Sequence, residues 1–114
     1  MQELSFQRFF QIWNYTASHA QLLVRSNKDS ENDTRIDILF KNVSIVHIPT
    51  ALKNINITQG EPDREHRDFD PELIKGRYIF TVHCEGFSGY VVAGAMYFHE
   101  DSGTYRDPSF FDTL

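Results

Sequence analysis

The chain contains a single cysteine, fewer basic than acidic residues and no apolar run long enough for a membrane helix. Cys84 has no second cysteine with which to form an internal disulfide or a zinc site. Eleven lysines and arginines against sixteen aspartates and glutamates give a formal net charge of -5, which argues against a protein whose main ligand is nucleic acid. The apolar run at 89–98 falls well short of the ~20 residues that cross a bilayer as a helix.

The first residues of the chain show no basic, then apolar, then small-residue pattern, so they do not resemble a secretory leader. We therefore expect a soluble cytoplasmic protein with neither a membrane partner nor a nucleic-acid partner. A chain of 114 residues is long enough for one hydrophobic core and too short for two. We predict a single domain spanning 1–114.

Alternating apolar and polar residues predict an all-β fold. The segment 34–41 is the clearest example, because Ile36, Ile38 and Phe40 share one face while the other face is polar except for Leu39. Comparable patterns predict about seven strands, at 9–16, 19–26, 34–41, 43–48, 54–58, 78–84 and 90–99. Strong helical segments do not alternate with them, which favours an antiparallel meander forming a small sandwich or barrel, with at most one short N-terminal helix.

Charged residues on the polar faces of neighbouring strands also follow a pattern. Arg25, Arg35 and Lys41 are predicted to share such a face with Asp37. Cross-strand ion pairs explain this arrangement more simply than an anion-binding site does.

Two segments depart from the strand pattern. Six acidic residues and the breakers Pro62 and Pro71 indicate a long exposed loop at 59–72. The tail at 100–114 mixes acidic residues with Phe110 and Phe111, which leaves two alternatives. Either these two rings face a partner, or the tail folds back and they close one end of the sheet.

The sequence shows no arrangement of residues that points to a particular chemistry. The five histidines form neither a His-x-His pair nor the His-Glu-x-x-His pattern of zinc enzymes, and the glycines form no phosphate-binding loop. His83 and His99 are predicted to lie roughly opposite each other across the turn at 85–89, although two histidines in a sheet are more simply structural. We predict no cofactor, no metal site and no catalytic residue, and we do not favour an enzyme.

The favoured function is that of a small acidic binding protein. Its negative charge suits a basic protein partner, as in inhibitor or immunity-type proteins, and its surplus of aromatic residues is typical of an interface. An open sheet edge or the aromatic tail is also expected to support a homodimer. The candidate partner-binding residues are Asp63, Glu65, Asp68, Asp70, Phe87, Phe110 and Phe111.

The alternative is a small β-barrel with a ligand cavity, which would include an enzyme that uses His83 or His99 as its polar group. The candidate cavity residues are Trp13, Tyr78, Phe80, His83, Met96, Phe98 and His99.

Overall fold

The computed structural model describes residues 2–62 and 68–113 and shows one antiparallel sheet of eight strands. The strands are β1 (Glu3–Thr16), β2 (Gln21–Ser26), β3 (Arg35–Lys41), β4 (Ile45–His47), β5 (Ala51–Gly60), β6 (Tyr78–Cys84), β7 (Phe87–Ala93) and β8 (Ala95–Asp101). Their order in the sheet is β4-β7-β6-β5-β1-β2-β3-β8. One short helix, α1 (Pro71–Ile74), and a 3-10 turn (Phe110–Thr113) complete the described elements. The predicted antiparallel all-β fold is confirmed.

A sharp corner joins the two ends of this sheet. At this corner β3 continues into β4, and β7 continues into β8. The pairing of β3 with β8 therefore carries over into the pairing of β4 with β7, with a shift of one residue between Lys41 opposite Ala95 and Ile45 opposite Val92. Across the corner, the Gly94 N–H donates to the Lys41 carbonyl over 2.9 Å. The sheet stays open, since β4 and β8 do not pair with each other, yet it curls around one core.

The residues at the corner explain why the chain bends there. Asn42 has a φ of 55°, a left-handed conformation that asparagine tolerates better than most residues. Gly94 crosses directly over Asn42, because a Cβ built at Gly94 would lie 3.1 Å from the Asn42 side chain. A glycine therefore allows the close approach of the two strands.

The core lies on the concave face of the sheet. Rings from the two halves meet there, with the centroids of Phe40 and Phe80 5.5 Å apart in an edge-to-face arrangement. The core residues are Phe10, Leu22, Val24, Ile36, Ile38, Phe40, Val43, Leu52, Ile55, Ile57, Phe80, Val82, Val91, Ala93 and Met96. They come from seven of the eight strands and the corner, so the same hydrophobic cluster holds the whole sheet in its curled shape.

Two segments cover parts of the convex face. Ile79 and Val92 point away from the core yet are fully buried, and the chain around α1 packs on that side of β7. There the Ser44 hydroxyl donates to the Leu73 carbonyl over 2.6 Å. The tail, residues 102–113, crosses the convex face of β2, β3 and β8, where it covers Leu39. Leu39, the one apolar residue on the otherwise polar face of β3, is therefore buried.

Several boundaries differ from the sequence predictions. The chain is already extended from Glu3, so strand β1 occupies the region where the sequence also allowed one short helix. The single strand predicted at 90–99 is two strands, because the corner at Gly94 divides it. At the ends of the acidic loop predicted at 59–72, β5 continues to Gly60 and α1 begins at Pro71, while residues 63–67 lie outside the described residues. Neither helix in the described residues is long and apolar enough to cross a membrane.

Gly89 gives a test of the packing between β4 and β7. A Cβ built there would overlap the carbonyl oxygen of His47 and crowd the ring of Phe87. Gly89→Ala is expected to lower the free energy of unfolding by about 1–3 kcal/mol, because an overpacked site must shift backbone. Urea denaturation monitored by circular dichroism measures the loss of unfolding free energy. Ser5→Ala, on an exposed strand position, is the control, and an equal effect of both substitutions would contradict the packing argument.

Candidate interaction surface

Arg35 ties the tail to the sheet. It lies at the start of β3 opposite Asp101 of β8. Its Nε and Nη2 donate to the two Asp101 carboxylate oxygens over 2.9 and 2.8 Å. Its Nη1 and Nη2 also donate to the backbone carbonyls of Thr104, Asp107 and Pro108, over 2.8 to 3.1 Å. One buried guanidinium therefore fixes the path of the tail at three successive points.

The local electrostatics follow from these bonds. The hydrogen bond from Arg35 lowers the pKa of Asp101, and the backbone N–H of Gly103 adds to that effect. The same bond raises the pKa of Arg35 above its ordinary value. The backbone N–H of Thr104 lowers the pKa of Asp107 by donating to its carboxylate over 2.8 Å. The first turn of the tail is thus held by ionised carboxylates.

A second, more deeply buried ion pair lies beneath the middle of the tail. Arg25 of β2 and Asp37 of β3 are opposite each other in register and form two hydrogen bonds, of 2.6 and 3.0 Å. The Ser109 hydroxyl adds a third bond to Asp37, of 2.6 Å, and the guanidinium of Arg25 lies 4.9 Å from the centre of the Trp13 ring. The predicted cross-strand ion pair is confirmed, and the tail shields it from water.

The end of the tail forms an aromatic stack on β8. The ring of Phe110 stacks on His99 with centroids 3.9 Å apart and 15° between the planes. Phe111 packs edge-on against Phe110 at 5.4 Å. On the same face of β8, Lys41 Nζ lies 5.8 Å from the centre of the Tyr97 ring. The tail therefore folds back, as one of the two sequence alternatives proposed, while its rings stay in part at the surface.

These rings make an aromatic surface that the fold leaves accessible. Tyr97 is 49% exposed, Phe110 48% and Trp13 39%, although each is anchored at its base by a neighbour. We call this surface the aromatic tail face, defined as Trp13, Tyr97, His99, Phe110 and Phe111. Carboxylates lie beside it, since Asp112 is exposed and Asp101 is partly so.

A cleft of roughly 330 Å³ separates the tail from β1 and β2 beside Trp13. Arg25 lines its floor and is already bonded to Asp37 by two hydrogen bonds. The aromatic tail face therefore includes a cleft next to the exposed indole of Trp13.

The seven predicted partner-binding residues fall into separate groups. Phe110 and Phe111 belong to the aromatic tail face, and Asp63 and Glu65 lie outside the described residues. Asp68 and Asp70 precede α1, where Asp70 accepts the Glu72 N–H over 2.9 Å as the helix cap. Phe87 begins β7, and its ring centroid lies 5.7 Å from that of His47. Of the five that the structure describes, only the two tail phenylalanines belong to the aromatic tail face.

The seven predicted cavity residues are also spread over the molecule. Phe80 and Met96 are packed in the core, while Trp13 and His99 lie on the convex face beside the tail. Tyr78 and Phe98 are partly exposed on the concave side, 36% and 48%. The structure does not gather these side chains around one space.

The predicted opposition of His83 and His99 is wrong. His83 pairs with Ser88, whose hydroxyl lies 2.8 Å from His83 Nδ1. His99 pairs instead with Asp37 on β3. The cause is the corner at Gly94, which takes β8 away from β6 and onto the other end of the sheet. Within residues 2–62 and 68–113, no three histidines, cysteines or acidic residues are placed to hold a metal ion.

Sequence reasoning missed Trp13, Tyr97 and His99 as members of one surface. The signal that could have found them is the apolar exception at Leu39, which indicates a covered convex face. The chain matches no protein-family model, no curated protein and no solved structure at a significant level.

Arg35→Lys tests the attachment of the tail. Lysine keeps the charge but cannot supply the five hydrogen bonds that Arg35 donates. We expect the free energy of unfolding to fall by about 1–3 kcal/mol, because partly buried carbonyls and a carboxylate lose charge-assisted hydrogen bonds. Amide hydrogen exchange at Ser109 and Phe111 should accelerate as well. Arg106→Lys, on the exposed side of the tail, is the control and should leave both measurements unchanged.

The pH dependence of the same contact follows from the lowered pKa of Asp101. Its stabilising effect is fully present above the ordinary aspartate pKa of about 3.9 and is lost as the pH falls through the lower folded value. Urea unfolding of the wild type and of Asp101→Asn should differ most near neutral pH and converge in acid. A difference that stays constant from neutral pH into acid would contradict this assignment.

Proposed function

We propose that this protein is a small binding protein whose aromatic tail face docks on a basic protein partner. The observation that carries the proposal is that neighbouring residues hold these aromatic rings in fixed positions while Tyr97 and Phe110 stay about half exposed. Phe110 stacks on His99 beside Tyr97, so the group is ordered without being buried. Partly exposed aromatic side chains in a fixed arrangement are the usual anchors of protein interfaces.

The attachment of the tail supports this use of the surface. Two buried arginines, Arg25 and Arg35, hold the tail through charge-assisted hydrogen bonds to Asp37, to Asp101 and to the tail backbone. A surface held in place before contact loses less conformational entropy when a partner binds. The hydrophobic core does not require a fixed tail. The buried ion pairs therefore act in recognition, because they hold the tail in one position.

The charge around the face favours a basic partner. The chain carries a net charge of -5, and Asp112 is exposed at the margin of the aromatic tail face, where Asp101 is partly exposed. Such a margin speeds the approach of a positively charged protein and disfavours acidic ones. An inhibitor or immunity-type role against a basic enzyme or toxin fits this combination of rings and charge.

Paired surface variants test the proposal. The bait is the full chain, used to isolate a partner from the source lysate at low salt, and the affinity of that purified partner is then measured by calorimetry. Tyr97→Ser and Phe110→Ser are each expected to raise the dissociation constant by about 30-fold, the effect of a hot-spot residue. Asp112→Asn is expected to reduce the association rate and its dependence on salt.

The control is Tyr15→Ser. Tyr15 is as exposed as Phe110 and pairs with the core-facing Leu22, so it lies on the other face of the sheet. Binding unchanged by the control and weakened by the tail-face variants supports the proposal. An affinity equally reduced in all three serine variants, or a partner whose binding ignores Tyr97 and Phe110, would count against it.

A further inference from the structure

β8 presents a free strand edge. Its seven residues pair with β3 on one side, and on the other side no strand of the described chain pairs with it. Tyr97 and Phe98 are consecutive and point to opposite faces, yet they are 49% and 48% exposed. The edge between them is therefore open to another strand.

This edge lacks the devices that normally prevent pairing. β8 contains neither proline nor lysine, and its register against β3 runs from Ala95 to Asp101 without a bulge. The other edge of the sheet differs, since β4 has only three residues and Pro49 follows it closely. Natural sheets protect their edges by short strands, prolines, bulges and lysines, so the long unprotected edge suits a partner strand.

We propose that β8 pairs antiparallel with β8 of a second copy of this chain, with Phe98 on the two-fold axis. In this register Phe98 faces its own counterpart, and Tyr97 faces His99 of the second copy. Met96 then faces Glu100, and Ala95 faces Asp101. The proposal concerns the edge of β8, so it does not depend on the proposed function of the aromatic tail face.

β8 is complementary to itself, which favours a second copy over another protein. Pairing about Phe98 uses all seven residues, sets aromatic rings opposite aromatic rings and places no like charges opposite each other. A shift of two residues toward the C-terminus would instead set Phe98 against Glu100. The closed two-fold arrangement also leaves no further edge of β8 free for chain growth.

The acidic end of β8 does not oppose this pairing. Glu100 accepts the Thr34 hydroxyl over 2.6 Å and lies 3.8 Å from Arg8. Asp101 is paired with Arg35. Both carboxylates are thus compensated within their own chain before a second copy approaches.

The apolar contacts on both faces of the edge would continue across the axis. On the concave side, the Phe6 ring lies 6.0 Å from Phe98 in an edge-to-face contact, so a two-fold axis would assemble four phenylalanines. On the convex side, Tyr97 of one copy would lie beside His99 and Phe110 of the other. The dimer would therefore carry two aromatic tail faces on one side of a continuous sheet.

Charge variants at the axis test the pairing and its register together. Phe98→Arg and Phe98→Glu each set like charges opposite each other, so each should raise the dimer dissociation constant by about tenfold or more. Mixed in equal amounts, the two variants should recover the dimer, because opposite charges then meet at the axis. Light scattering and sedimentation report the mass against the 13.3 kDa of one chain, and circular dichroism confirms that each variant is folded.

The controls are Tyr15→Arg and Tyr15→Glu, which carry the same charges away from β8 and should remain dimeric. A monomeric wild type at millimolar concentration, variants that dimerise like the wild type, or a mixture that stays monomeric would each overturn the proposal. Hydrogen exchange on the unmodified chain provides a check that needs no variant. Amides along β8 should exchange faster on dilution, and rates independent of concentration would also overturn it.

Discussion

The tight corner at Gly94 is the constraint on which the rest of the structure depends. Because Gly94 has no side chain, the chain can cross within van der Waals contact of Asn42, and two paired strands turn together. The turn curls the sheet around its core and transfers β8 from the neighbourhood of β6 to that of β3. The position of the tail, the isolation of His99 from His83 and the free edge of β8 all follow from it.

Beyond the corner, buried charge determines where the tail lies. Replacing a buried ion pair by apolar side chains is often neutral or stabilising, so such a pair is weak evidence for stability. Here Arg25 and Arg35 do what apolar residues cannot, since their donors and carboxylate partners bind specific atoms of the tail. The result is a defined path for a segment that has little core of its own.

The two surfaces that emerge have different physical origins. The aromatic tail face consists of side chains held by the tail, and its margin is acidic. The edge of β8 consists of backbone groups with Phe98 beside them, and its charges are compensated within the chain. A partner protein would bind side chains of the tail face and a second copy mainly backbone groups of β8, but pairing of two copies would also bring Tyr97 of one copy beside His99 and Phe110 of the other.

The amino-acid sequence by itself determined the antiparallel all-β class and the position of most strands, because these depend on local alternation of side chains. It also placed Arg25 and Asp37 on polar strand faces, but the register of β2 against β3 decided that these two residues form a pair. The strand divided at Gly94 could not be predicted, since a glycine within an apolar run is equally compatible with a straight strand. Tertiary structure alone decided that Phe110 stacks on His99 and that β8 is an edge. Both depend on residues far apart in the chain, which only the curled sheet and the tail bring into contact.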